Sequence, residues 1–186
     1  MKEYFQQPFI RFLLYFAGLY LGWFLLYDSW LHPQGGLDHF VNYYTIWVAE
    51  DLLEWLGYTI NVSGQVIAIE GTSGVFVGDS CNSITLVALY TGFLIAFPGN
   101  IKSKLYFIGI GTLVIWILNI IRIAALAMLD TISREWTEFN HTYTFTLVMY
   151  GVIFLTWYIW LNKYANVRPK KSKEENHSQT IQTSTK

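Results

Sequence analysis

Three residues have side chains suited to covalent chemistry: Cys81, Arg122 and His141. Cys81, the only cysteine, follows Asp79 and Ser80 and begins a long run without charges. Arg122 is a charge inside another apolar run, and His141 stands near the start of the last one. A thiol, a guanidinium and an imidazole are the groups that nucleophilic acyl transfer needs, in which a thiolate attacks a carbonyl carbon.

Each residue has an expected role in such a reaction. Asp79 or Ser80 is a suitable N-cap, which would place Cys81 in the first turn of a helix, where the helix dipole favours a thiolate. Arg122 would favour the thiolate further and would hold the negative oxygen formed on the attacked carbonyl. His141 would exchange a proton with the thiol and then with the leaving amine.

Asn119 lies three residues before Arg122, on the same face of a predicted helix, and is expected to orient it. Taken singly, these residues also have simpler interpretations. A lone cysteine is more often a small apolar filler, and a histidine near a span end is commonly an interfacial polar residue. Arg122 could instead pair with Asp79 or Asp130, or extend to the membrane interface.

Metal binding is disfavoured because one Cys and one His leave a site two ligands short unless acidic residues join them. We therefore predict no metal and no cofactor. The single cysteine also excludes an intramolecular disulfide framework. The basic tail is too short to argue for nucleic-acid binding.

The composition is that of a small membrane protein with one domain. The 186 residues are 53% hydrophobic and only 13% charged, and the mean hydropathy is +0.33. A soluble domain of this size rarely carries so few charges. We predict an all-α integral membrane protein with four transmembrane helices, one interfacial amphipathic helix and a short outer β-hairpin. The spans are expected at about 9–27, 80–101, 105–129 and 139–162, with an outer segment over 28–79, in a membrane domain over 1–162, followed by a disordered cytoplasmic tail over 163–186.

The predicted outer segment contains seven acidic residues and no Lys or Arg. Apolar residues recur every three or four positions from about Asp38 to Leu56, which predicts an amphipathic helix ended by Gly57. Its acidic residues make it a poor span, so we predict that it lies in the membrane interface. The apolar stripe consists of Val41, Tyr44, Val48, Leu52 and Trp55. The predicted hairpin pairs Gln65–Ile69 with Val75–Val77 across Gly71–Gly74.

Charge segregation predicts the orientation. Ten of the twelve basic residues fall on one side of the predicted spans, and ten of the thirteen acidic residues fall on the other. The positive-inside rule then places both termini in the cytoplasm, with the chain in the cytoplasmic membrane. Lys102 is 21 residues after Cys81, or about 31 Å of helix. The same calculation, made from the inner ends of the third and fourth predicted spans, places Arg122 and His141 at the same depth as Cys81, near the outer surface.

The motifs that contain these residues resemble the exosortase/archaeosortase family. They are Val77-x-Asp79-Ser80-Cys81-Asn82-Ser83-Ile84, Asn119-x-x-Arg122 within a span, and His141 at the start of the last span. The resemblance covers about residues 28–160. It departs from the family pattern at Ser83, where Gly is usual, and in having fewer spans than the larger members.

This resemblance implies a membrane-embedded cysteine protease and transpeptidase. Cys81 would be the nucleophile, Arg122 the stabiliser of the oxyanion or thiolate, and His141 the general acid and base, supported by Asn119, Asn82 and Asp79. The implied substrates are exported proteins with a C-terminal sorting signal, made of a short motif, an apolar span and a basic end. A thioester on Cys81 would then be resolved by an acceptor, such as a glycan or lipid, or by water.

Two other functions remain open from the residues. A non-catalytic assembly partner would use the aromatic helix around Trp47 and Trp55 as a docking face. A small transporter would place Arg122 in a substrate path, but no polar site is evident near the middle of the predicted spans.

Overall fold

The structure is a computed structural model that describes residues 8–78, 81 and 83–164. The described chain is mostly helical, with one small sheet between the third and fourth helices. Two π-helical turns interrupt the helices, at Tyr27–Leu31 and at Asn140–Thr144. The elements are α1 (Pro8–Leu26), α2 (His32–Gln34), α3 (Gly36–Trp55), β1 (Ile60–Ser63), β2 (Val66–Ile69), β3 (Val75–Phe76), α4 (Ile84–Ala96), α5 (Ile101–Asp130), α6 (Arg134–Phe139) and α7 (Phe145–Lys163).

Three helical stretches of the described chain are long and apolar enough to cross a membrane, namely Ile10–Gln34, Ile101–Asp130 and Arg134–Lys163. They correspond to the first, third and fourth predicted spans. The first extends beyond its predicted C-terminal end, and the other two extend beyond both predicted ends. The predicted span over 80–101 is not confirmed, because its helix α4 has only 13 residues. Such a helix is about 20 Å long, short of the roughly 30 Å of a hydrocarbon core.

The first span continues past its predicted end, and Pro33 does not interrupt it because it stands in the first turn of α2, where proline is tolerated. The π-helical turn and α2 carry the helix on to Gln34. Gly35 then adopts a left-handed backbone with φ of 65°, a conformation that costs glycine little because it has no Cβ. The chain turns there directly into α3.

Helix α5 is the central element of the fold, since it packs against α3, α4, α6, α7, β2 and β3. Its buried residues recur at helical spacing, which gives it one continuous buried face. One half of this face packs with α3 and the sheet in a cluster that includes Leu53, Val77, Cys81 and Ile123. The other half packs with α4 and α7 around Tyr90, Ile153 and Trp160. Cys81 therefore lies in the core that joins the sheet to α5.

The predicted amphipathic helix is present as α3, and the face that is buried in the protein differs from the predicted apolar stripe. The stripe of Val41, Tyr44, Val48, Leu52 and Trp55 is half-buried or exposed. The buried face is offset by about one residue and consists of Asp38, Asn42, Thr45, Ile46, Ala49 and Leu53.

Polar residues occupy this face because other helices supply hydrogen-bond partners for them. The Trp116 indole N–H donates to the Thr45 hydroxyl over 3.1 Å, and the Tyr27 hydroxyl donates to the Asp38 carboxylate. Periodicity of apolar residues cannot reveal partners that are distant in the sequence.

The predicted hairpin is confirmed as β2 and β3, which pair antiparallel. The structure adds β1, which pairs antiparallel with β2 to give a three-stranded sheet in the order β1-β2-β3. Strand β1 was not predicted. Its four residues, INVS, alternate apolar and polar side chains, but the run has the minimum length at which such a pattern indicates a strand.

Candidate active site

Cys81 lies in the connection between β3 and α4 and is only 3% exposed. Its backbone N–H donates to the carbonyl of Gly78 over 2.8 Å. Helix α4 begins at Ile84, so the prediction that Cys81 occupies the first helical turn is wrong. Ser83, which has a left-handed backbone, lies between Cys81 and the start of this helix. Asp79, Ser80 and Asn82, which the sequence analysis gave supporting or capping roles, lie outside the described residues.

Ser83 is the only non-glycine residue with a positive φ among the described residues, at 57°. A left-handed backbone costs an L-residue with a side chain roughly 1–2 kcal/mol. This is the position at which the family resemblance described above leads us to expect glycine. The structure therefore gives a backbone reason for that glycine and makes Ser83 a strained residue beside the thiol.

The Cys81 thiol contacts the imidazole of His141, with 3.0 Å between Sγ and Nε2. This distance suits direct proton transfer between the two groups. His141 lies in the π-helical turn Asn140–Thr144 that joins α6 to α7, and it is half-buried. Such turns inside helices are frequent at functional sites, because the extra residue redirects one side chain out of the helical register.

Helix α5 contributes two buried side chains that donate hydrogen bonds to the backbone carbonyls of this pair. Asn119, fully buried, donates from Nδ2 to the Cys81 backbone carbonyl over 2.6 Å. Arg122, 7% exposed, donates from an Nη to the His141 backbone carbonyl over 3.3 Å. Asn119 was expected to orient Arg122, but its hydrogen bond goes to the cysteine turn instead. Side chains of one helix thus bind the backbone of both residues of the thiol–imidazole pair.

The charge of Arg122 is not paired with Asp130, which was one of the alternatives. Asp130 accepts from the Gly74 N–H over 2.9 Å and lies 3.6 Å from Arg134. The Arg122 Nε is buried and has no hydrogen-bond partner within the part of the chain that the structure describes. That N–H is therefore a buried donor without a described acceptor.

Asp130 and Arg134 form a clamp on Gly74 that the sequence analysis missed. The Asp130 carboxylate, 1% exposed, accepts from the Gly74 N–H, and Arg134 donates to the Gly74 carbonyl over 3.1 Å. The clamp fixes β3 against the junction of α5 and α6. The only sequence signal was the separation of four residues between Asp130 and Arg134, which indicated a helical ion pair but not its backbone partner.

A cavity of about 350 Å³ opens beside His141, between β3 and the helix that begins at Arg134. A smaller cavity of about 190 Å³ is lined by Arg122 and Thr85. Among residues 8–78, 81 and 83–164, no three His, Cys, Asp or Glu side chains come together in a way that could hold a metal ion.

The fold and this site define a class: a small helical protein with several apolar membrane-length helices and a buried Cys–His pair braced from its central helix. The sequence profile of the transmembrane exosortase family matches residues 6–161. The chain belongs to that family, and the resemblance found from its motifs is confirmed. No match to the chain was found among the curated proteins or among the solved structures.

Proposed function

We propose that this chain is a membrane-embedded cysteine peptidase and transpeptidase that cleaves C-terminal sorting signals of exported proteins at the outer face of the cytoplasmic membrane. Membership of the transmembrane exosortase family supports a sorting enzyme of this class. The observation that carries the chemistry is the 3.0 Å contact between Cys81 Sγ and His141 Nε2. It is the pairing of nucleophile and base that thiol catalysis requires.

In the first half of the reaction, His141 Nε2 takes the thiol proton, and the Cys81 sulfur attacks the backbone carbonyl carbon of the scissile bond. The tetrahedral intermediate collapses by breaking the C–N bond, and the imidazolium gives its proton to the leaving amine. The products are a thioester on Cys81 and the released C-terminal tail of the substrate. A hydroxyl or amine of a glycan or lipid acceptor, or water, then attacks the thioester and regenerates the thiol.

Arg122 is the proposed stabiliser of the negative oxygen in both tetrahedral intermediates. Its hydrogen bond to the His141 carbonyl anchors the guanidinium beside the pair, and its buried Nε–H is a donor with no described partner. A buried cationic donor is worth far more to a developing oxyanion than an exposed one, because the surroundings screen it weakly. Asn119 is a positioning residue that holds the Cys81 backbone.

The proposed orientation has both termini in the cytoplasm and the Cys81–His141 pair near the outer surface. It is supported by the ten of twelve basic residues that share one side of the predicted spans. A scissile bond just outside the membrane, followed by the substrate's own span, would then lie at the height of the thiol.

The test uses a tagged exported protein from the same organism that ends in a short motif, one apolar span and basic residues. The ratio of precursor to processed protein is measured on blots of cells that make the wild type or a variant. Cys81→Ala and His141→Ala should each lower the processing rate by about 10³-fold or more, and Arg122→Ala by about 10²–10³-fold. His39→Ala, which removes an exposed histidine from α3, is the matched control and should process normally.

Added hydroxylamine tests the thioester itself, because it should release the substrate as a C-terminal hydroxamate that mass spectrometry identifies. Normal processing by Cys81→Ala would sink the proposal. The docking alternative is favoured by the exposure of Trp47 and Trp55, at 51% and 82%. It predicts the opposite pattern, in which Cys81→Ser is silent and Trp55→Ala abolishes function.

A further inference from the structure

Strand β3 is an edge strand of the sheet, because β2 pairs with it on one side and the order ends there. The open side of an edge strand presents backbone N–H and C=O groups to which another extended chain can add. Whether β3 offers such groups depends on which of its residues point away from β2.

The register identifies them. The Val77 N–H donates to the Gln65 carbonyl over 2.8 Å, so this pair is hydrogen-bonded. Hydrogen-bonded and non-hydrogen-bonded pairs alternate in an antiparallel ladder, and Phe76 faces Val66 at the next position. The N–H and C=O of Phe76 therefore point away from β2, and neither is hydrogen-bonded to another described residue.

Gly74, two residues earlier, has the same orientation. Its outward N–H and C=O are bound by Asp130 and Arg134. The clamp thus uses one outward position of the edge and leaves the next, at Phe76, open.

The open edge faces a cavity that His141, the partner of Cys81, also lines. Phe76 and Val75 line one wall of the cavity of about 350 Å³, and His141 lies on the opposite wall with Arg134 and Glu138. His141 is seven residues after Arg134, a helical distance of about 10 Å. An extended peptide covers that distance with about three residues, at roughly 3.3 Å each.

We propose that the outer edge of β3 binds the substrate's recognition motif as an added β-strand, through the N–H and C=O of Phe76. The added strand fills the cavity between β3 and α6 and brings the scissile carbonyl to Cys81. Parallel and antiparallel addition both use these two groups. This inference rests on the proposed function, and it names the substrate segment as an extended stretch of about three residues, read by its backbone at β3.

Proline at position 76 tests this edge, because it removes the outward N–H without removing a β2–β3 hydrogen bond. Phe76→Pro should lower processing of the tagged precursor by about tenfold or more, whereas Phe76→Ala keeps the N–H and should lose less than about threefold. Val62→Pro is the matched control. The Glu70 N–H donates to the Thr59 carbonyl, and β1 pairs Val62 with Ile67, so the same alternation makes the Val62 N–H point outward on the opposite edge.

Loss of processing in Phe76→Pro alone supports the proposal, and normal processing in Phe76→Pro overturns it. If Val62→Pro also fails, amide hydrogen exchange decides the question in full-length Cys81→Ala protein with and without the bound precursor. Slower exchange of a peptide spanning 75–78 with the precursor supports strand addition, and unchanged exchange refutes it. Processing that survives Cys81→Ala would instead remove the proposed function itself, so the two failures are distinguishable.

Discussion

At the scale of single residues, Ser83 is the residue near the thiol whose backbone conformation is most unusual. Its left-handed backbone ends the turn and separates Cys81 from α4. The Cys81 thiol therefore lies ahead of the helix, and Asn119 and His141 hold its carbonyl and its sulfur. In the proposed mechanism, the contact with His141 therefore contributes more than the dipole of α4, because dipole effects fall off within the first turn.

Replacing Ser83 by glycine should keep or slightly raise stability, because glycine adopts a positive φ without a Cβ penalty. We expect a gain in the free energy of unfolding of up to about 1 kcal/mol, since part of the relief is offset by the greater freedom of glycine in the unfolded chain. Ser83→Val should lower it, since β-branched residues avoid this conformation. Thermal unfolding in detergent measures both.

The matched control is Ser103→Gly in α5, where the backbone is helical and glycine should destabilise by about 1 kcal/mol. It also removes the hydroxyl that accepts from the Trp160 indole. If Ser83→Gly destabilised as much as Ser83→Val, the Ser83 side chain rather than its backbone conformation would be what matters.

At the scale of elements, the site depends on how firmly the sheet is held to α5. The clamp of Asp130 and Arg134 on Gly74 is the polar link between β3 and the end of α5. Position 74 also requires glycine, because a Cβ there would come within 2.8 Å of the Ala68 and Val66 side chains. The position of β3, and with it the start of the cysteine turn, follows from this link.

Asp130→Ala should loosen the sheet, because the Gly74 N–H loses its partner in a place that water barely reaches. An unsatisfied buried donor costs about 1–3 kcal/mol. We expect a lower melting temperature and faster proteolytic cleavage between residues 57 and 78, measured on the purified protein in detergent.

Glu138→Ala is the control for that change, since Glu138 also pairs with Arg134, over 3.3 Å, but is 71% exposed. Exposed helical pairs contribute only about 0.3–0.5 kcal/mol. Equal effects of the two substitutions would show that the Gly74 contact does not hold the sheet.

At the scale of the whole molecule, the length of α4 constrains how the chain passes through the membrane. Helix α4 is too short to cross alone, yet the connection at Pro98 must be cytoplasmic if both termini are. Large exposed apolar side chains are spread over α1, α5 and α7, as expected for surfaces that face lipid. Because α4 is short, the chain can cross the membrane at this point only if residues beyond the ends of the helix lie in the membrane as well.

Cysteine labelling tests this topology, because Cys81→Ala leaves a chain without cysteine. In that background, Ile132→Cys, at an exposed position between α5 and α6, should react with a membrane-impermeant maleimide on intact cells. Pro98→Cys, exposed between α4 and α5, should react only after lysis. Labelling of Pro98→Cys on intact cells would show that α4 does not cross and would overturn the orientation.

The sequence by itself determined the family of the protein, and it singled out Cys81, Arg122 and His141, which the structure brings together. Composition and long apolar runs identified three helical stretches of membrane-spanning length, since hydropathy acts locally along the chain. Motif order identified the family, and helix rise brought Cys81, Arg122 and His141 to a common height. These inferences need only local periodicity and length, which the residue order contains.

Only the tertiary structure decided the details that depend on partners distant in the chain. The buried face of α3, strand β1, the bond from Asn119 to Cys81 and the clamp on Gly74 all depend on such contacts. The left-handed turn at Ser83 likewise needs packing on both sides to hold an unfavourable backbone conformation in place. Tertiary contacts outweigh local preferences at these positions because a buried polar group must find a partner wherever the fold supplies one.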